Sequence, residues 1–151
     1  MDSLFLLEAP LLQRLKAELA PLKPAVHVLS AADLAGVMEE KQLVPAVHLI
    51  YQGYRVLQNR ADKKLARIEQ TWLTVVSVSN ARGLKVGTEA RADAGSLGAK
   101  VLLAFAGWQP PGAATPLELI NAPAARFSAG YQYLPQAFTV ELVVGQARSP
   151  A

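Results

Sequence analysis

The chain has 151 residues, which suits one domain able to bury roughly two thirds of its unfolded surface. Its 15 basic and 12 acidic side chains leave a net charge of +3 with mixed signs, so a dedicated nucleic-acid binder is not implied, while a passive route beside DNA is compatible. The absence of cysteine excludes thiol catalysis, disulfides and thiolate metal sites; a hydrophobic share of 52% against 18% charged leaves spare apolar surface, a hint of a subunit interface.

The opening Met1-Asp2-Ser3-Leu4-Phe5-Leu6-Leu7-Glu8 places an acid where a signal peptide carries lysine or arginine, and its apolar run is too short for a secretory core. No stretch has the length of a membrane span, so a soluble, unexported protein with no membrane partner is expected. Leu11, Leu12, Leu15 and Leu19 recur at helical spacing behind Pro10 and predict an amphipathic helix ending near Pro21. Ala25-Val26-His27-Val28-Leu29 reads as a short strand. Ser30 and Asp33 then form a helix-start signal for a short helix carrying Leu34, Val37 and Met38.

Beyond Pro45, two extended segments at residues 46–57 and 70–80 predict a long antiparallel hairpin. The second is the central strand: Ile68, Trp72, Thr74, Val76 and Val78 share one parity, so one face is expected to be buried. Residues 58–67 between them are polar and lack an apolar period, which predicts a solvated tip where Arg60, Lys63, Lys64 and Arg67 cluster around Asp62. Residues 80–91, with Gly83, Gly87, Arg82, Lys85 and Arg91, read as an exposed basic loop. A helix is then expected, capped by Asp93, with Ala94, Leu97, Val101, Leu102 and Phe105 on one face, Gly95 and Gly98 allowing close backbone approach, and Gly107-Trp108-Gln109-Pro110-Pro111-Gly112 stopping it. Leu117-Glu118-Leu119-Ile120 predicts a short strand, and residues 126–134 and 137–144 two more, flanking Pro135 at an edge or a bend. The expected fold is α+β, a mixed, mainly antiparallel sheet with a long hairpin packed against two or three helices, in a single domain over residues 1–145 with a disordered tail at 146–151.

No catalytic or metal-ligating constellation stands out. His27 and His48 sit in apolar strand segments without a carboxylate at ligand spacing, and read as half-buried strand histidines. Glu39 and Glu40 beside Lys41 read as a solvated turn. Gly95-Ser96-Leu97-Gly98 lacks the preceding strand a nucleophile elbow needs, and Gly83 and Gly87 lack the Gly-Lys-Ser/Thr ending of a phosphate loop. Tyr51, Tyr54, Tyr131 and Tyr133 suit cross-strand pairs or an oligomer interface better than stacking on single-stranded nucleic acid. The basic tip is either simply solvated or meets an acidic protein rim or DNA phosphate. No cofactor is expected.

The order of these pieces is distinctive: an N-terminal amphipathic helix, a hairpin carrying Gln70-Thr71-Trp72-Leu73-Thr74-Val75-Val76-Ser77-Val78, a loop, a helix with Ala94-Gly95-Ser96-Leu97 leading to Gly107-Trp108-Gln109-Pro110, and Tyr131-Gln132-Tyr133-Leu134-Pro135-Gln136-Ala137-Phe138. From about Leu11 to Leu142 it resembles the tail terminator proteins of long-tailed bacteriophages and related tail-like particles. The resemblance implies a non-enzymatic virion tail subunit, assembled in the host cytoplasm, that closes into a ring, a hexamer in the family. Such a ring caps the tail tube, ends its polymerisation and meets the head-completion or connector protein. The partners implied are other copies of itself, the tail tube protein and the connector, with DNA only passing through the lumen. Arg60, Lys63, Lys64, Arg67, Arg82, Lys85 and Arg91 are the candidate partner-binding residues on tube- or lumen-facing loops. Another head-to-tail junction protein, or a small α/β enzyme, are the alternatives.

Overall fold

The computed structural model describes residues 3–34, 41–79 and 87–145. Three helices and six strands follow in the order α1 (Glu8–Leu19), β1 (His27–Ser30), α2 (Ala31–Leu34), β2 (Ala46–Asn59), β3 (Leu65–Ser79), α3 (Gly87–Phe105), β4 (Glu118–Ile120), β5 (Arg126–Ser128) and β6 (Tyr131–Gly145). They form one mixed sheet in the order β1-β2-β3-β6-β4, with β5 also paired to β6. Among the described residues β1 and β2 run parallel and every other pair is antiparallel. The α+β expectation holds.

Side-chain parity decides which face is covered. On β3 the even-numbered residues Ile68, Gln70, Trp72, Thr74, Val76 and Val78 are all buried, as the alternation of the sequence requires. Opposite them on β6 stand Phe138, Val140 and Leu142, and on β2 Val47 and Leu49. The helices α1 and α3 lie on this face, contributing Leu11, Leu15, Leu19, Val101 and Phe105 to the same core. The Phe105 ring meets Phe138 edge-on, with centroids 5.3 Å apart.

Buried amides hold the layers in register. Gln70 is fully buried and its side chain donates to the Leu4 carbonyl at 2.7 Å while accepting from the Trp72 indole at 3.1 Å, pinning the N-terminal turn to the sheet. Gln136 donates to the Gly98 carbonyl at 2.9 Å and accepts from the Thr74 hydroxyl at 3.3 Å, which fixes α3 on β6. A Cβ on Gly98 would lie 2.8 Å from Leu134 Cδ2 and 3.1 Å from Gln136 Nε2, so side chains rather than the expected backbone come close there; at Gly95 nothing lies within 4 Å. Arg14 joins α1 to α3 from outside, donating to the Ala104 carbonyl at 2.9 Å and lying 5.0 Å over the Trp108 ring.

Several boundaries differ from the sequence reading. The hairpin strands run on to Asn59 and back from Leu65, so the turn is residues 60–64 rather than 58–67, and Arg67 belongs to β3. The charged residues are accommodated because they face away from the helices, where Arg55 bonds Glu69 at 2.9 Å and Arg67 bonds Glu141 at 3.0 Å. Helix α3 starts at Gly87, not after Asp93, because Glu89, Ala90, Arg91 and Ala92 are strong helix formers whose propensity outweighs Gly87. Arg91 is therefore helical, while residues 80–86 lie outside the described residues. Pro135 does not separate two strands: β6 runs straight through it, and the residues expected as one strand over 126–134 are β5, a turn with Ala129 and Gly130 at positive φ, and the start of β6. Pro135 sits in the gap between the stretches paired to β5 (131–133) and β4 (137–139), so β6 has a local outer edge where a missing N–H costs nothing. Ser30 and Asp33 do form the predicted helix start, with the Ser30 N–H donating to the Asp33 carboxylate at 2.8 Å; the continuation through Val37 and Met38, and the tail at 146–151, lie outside the described residues.

Candidate interaction site at the hairpin and sheet margins

The basic tip is a tight, self-braced turn. Its ends close through the Arg60 N–H to the Leu65 carbonyl at 2.8 Å, and Lys63 takes the left-handed conformation, φ 64°, that a five-residue turn of this kind needs. Asp62 organises it: its carboxylate accepts from Arg60 Nε at 2.8 Å and from the Lys64 N–H at 3.0 Å. The hydrogen bond from Arg60 first, and that from Lys64 second, hold the Asp62 carboxyl below the ordinary carboxylate range, and the same contact raises the Arg60 guanidinium above its usual value.

The basic residues of the hairpin thus differ in their partners. Arg60 is neutralised by Asp62 inside the turn, and Arg67 by Glu141 across the sheet. Lys63 and Lys64 remain together at the exposed tip, roughly 15 Å beyond Ile68, the last buried residue on their strand, at the usual strand rise. Arg82 and Lys85 lie outside the described residues, and Arg91 stands in the first turns of α3.

Sequence reasoning missed a different feature. Beta1 covers only residues 46–49 of β2, so from Ile50 to Asn59 the outer edge of β2 has no partner strand among the described residues. Beside it Phe5, Tyr54 and Val56 are each about half exposed, and Phe5 packs edge-on against Tyr51. At the opposite margin β4 and β5 are also outermost and carry exposed Leu119, Ile120 and Phe127. The surplus of apolar residues hinted at such surfaces, but only pairing shows which strands are left at the margins.

Groups with chemical potential are present among the described residues. A groove of about 450 Å³ beside β4 is lined by Glu69, Glu118 and Glu141 together with Thr115, Leu117 and Leu119. Glu69 and Glu141 face each other across β3 and β6, and each is held by a guanidinium, which removes the paired-carboxylate reading. On the face away from α1 and α3, His48 Nε2 and Ser77 Oγ are buried without a hydrogen-bond partner among the described residues, so they do not bond each other. Burial lowers the His48 pKa, an effect the Asp33 charge partly opposes. Asp33 itself is engaged by Ser30, which holds its carboxyl low. A serine, a histidine and an aspartate therefore share this region without the linked bonds of a nucleophilic triad. No group of three metal-ligating side chains occurs among the described residues, and no helix there is long and apolar enough to cross a membrane.

Comparison with known proteins bears on this arrangement. One solved chain superposes with a TM-score of 0.50 over 99% of this chain and 100% of its own length, at 13% identity, which speaks to the fold alone. Among curated proteins no relative matches. The family model for the phage tail terminator protein matches residues 1–149, nearly the whole chain. A mainly antiparallel sheet with a long hairpin and exposed apolar residues at its margins is thus found in a chain that belongs to the phage tail terminator protein family, a structural component of the virion tail.

Proposed function

We infer that this protein closes into a ring, a hexamer, on the last ring of the tail tube, stops tube polymerisation and offers its other side to the head-completion or connector protein. The observation that carries this reading is the match to the tail terminator family over residues 1–149. It is supported by the two unlike margins of the sheet, since a closed ring needs one patch of each subunit to fit a different patch of its neighbour. The subunit acts by shape and transforms no substrate. Assembly takes place in the host cytoplasm and the finished ring stays in the virion.

The rigid turn with Lys63 and Lys64 points to the tube or to the lumen, where a mildly positive lining tolerates passing DNA without gripping it. Arg82, Lys85 and Arg91 are assigned to the same side on charge alone. Replacing Lys63 and Lys64 by serine is expected to leave the circular dichroism spectrum and unfolding midpoint unchanged while tail lengths, measured by electron microscopy of complemented particles, become heterogeneous. Tails of normal, uniform length carrying that variant would remove the tip from the contact. Adding Arg67→Ser tests fold rather than contact, because it breaks the bond to Glu141. Co-purification with the connector but never with tube protein would favour a different head-to-tail junction role.

A further inference from the structure

The free edge of β2 and the β4 margin are complementary to each other in direction, register, apolarity and charge. In the order β2-β3-β6-β4 each neighbouring pair is antiparallel, so β4 runs opposite to β2 within one chain. A rotation about an axis along the strands preserves that direction, and brings the β4 of one copy antiparallel to the β2 of the next. Two register shifts, between Tyr51 and Gly53 and between Val56 and Gln58, break the free edge, leaving Gly53, Tyr54, Arg55 and Val56 as a regular stretch. Beta4 has three residues and fits within it.

Only one register pairs like with like and keeps both sheets continuous. Tyr54 and Leu119 both lie on the helix-covered side, opposite Gln70 and Phe138, and both are about half exposed. Placing Leu119 against Tyr54 sets Glu118 against Arg55 and Ile120 against Gly53 on the other face. Arg55 engages Glu69 through Nε only, its side chain is 70% exposed, and its terminal amino groups are left for a second carboxylate. Glu118 is exposed. Gly53 has nothing within 4 Å of where a Cβ would stand, which leaves room for Ile120. The edge also lacks the lysine or proline that natural edge strands use against foreign pairing.

We propose that the subunit contact of the ring is strand addition, with β4 of one copy pairing antiparallel to Gly53, Tyr54, Arg55 and Val56 of the next, Leu119 against Tyr54 and Glu118 against Arg55. The proposal rests on the ring reading and names its surface; it assigns the apolar margins to a second copy of this chain, leaving the lysine tip for the tube.

The native chain has no cysteine, so introduced pairs report one contact each. The full-length chain carrying both Tyr54→Cys and Leu119→Cys, incubated with tail tube protein and mildly oxidised, is expected to give a ladder of disulfide-linked species up to the ring. An equimolar mixture of the two single variants is expected to stop at dimers. Light scattering on the unmodified chain under the same conditions gives the assembly state. A multimer without cross-links between positions 54 and 119 overturns the contact and leaves the ring reading standing. Cross-linking of Tyr54→Cys to itself overturns it in favour of two β2 edges meeting about a two-fold axis. A chain that stays monomeric beside tube protein, with no ladder, overturns both. As a second measurement, Glu118→Arg is expected to raise the concentration for half-assembly about tenfold, the effect of losing a close charge pair; circular dichroism confirms that the variant folds, and unchanged assembly overturns the pairing.

Discussion

The two halves of the β2/β3 hairpin obey the same alternation and do opposite things. In the proximal half, Val47 and Leu49 pair with Val76 and Thr74 under the helices, all fully buried, while β1 closes the outer edge. In the distal half the ladder continues and its β3 residues Gln70 and Ile68 stay buried, yet their β2 partners Tyr54 and Val56 are 52% exposed and no strand lies beyond them among the described residues. The contrast teaches that an antiparallel ladder alone does not make a core. What makes the proximal half a scaffold is the layer of α1 and α3 above both strands, whereas in the distal half β3 stays in the core and β2, built from the same chemistry, is left exposed.

The sharpest way to break this comparison is to truncate one buried and one exposed aromatic of the hairpin. Trp72→Ala removes a fully buried ring and is expected to cost about 3–5 kcal/mol, whereas Tyr54→Ala is expected to change stability by no more than about 0.5 kcal/mol, both read from urea denaturation. Comparable losses at the two sites would mean that the exposed β2 edge is part of the folding core. A smaller effect is expected at the clamp between them. Gln70→Ala leaves the Leu4 carbonyl and the Trp72 indole unpaired and is expected to cost about 1–3 kcal/mol, with faster hydrogen exchange at the N-terminal turn.

The smallest effect is a pH dependence confined to the proximal half. Because burial lowers the folded-state pKa of His48, the unfolded chain binds the proton more readily, so stability rises with pH through this window. The contribution is fully present above the unfolded value near 6.5 and is lost as pH falls from there toward the lowered folded value, with a slope of at most about 1.4 kcal/mol per pH unit. His48→Gln is expected to flatten the denaturation midpoint between pH 7.5 and 5.5, and an unchanged slope would assign the effect to other groups.

How much of this was legible depended on the range of the interaction. Trp72, Val76 and Val78 announced a strand with one buried face, Leu11, Leu15 and Leu19 a helix, and Ser30 with Asp33 a helix start, because period and capping are properties of neighbours in sequence. The length of the hairpin was not legible, since Arg67 and Glu69 look like loop residues until Glu141 and Arg55 are placed beside them across the ladder. Pro135 looked like an interruption for the same reason: whether a missing N–H matters depends on whether a strand lies opposite.

The sequence by itself determined that an α+β sheet with a long hairpin forms and that thiol chemistry is absent, both of which follow from residue type and local period, while the order of its motifs carries the resemblance to tail terminators. Only the tertiary structure decided which strand edges are unpaired, which of the basic residues already have partners, and that Tyr54 and Leu119 stand on opposite margins facing the same way. Those are relations between residues far apart in the chain, and pairing across a sheet is set by the global register, which no local window contains.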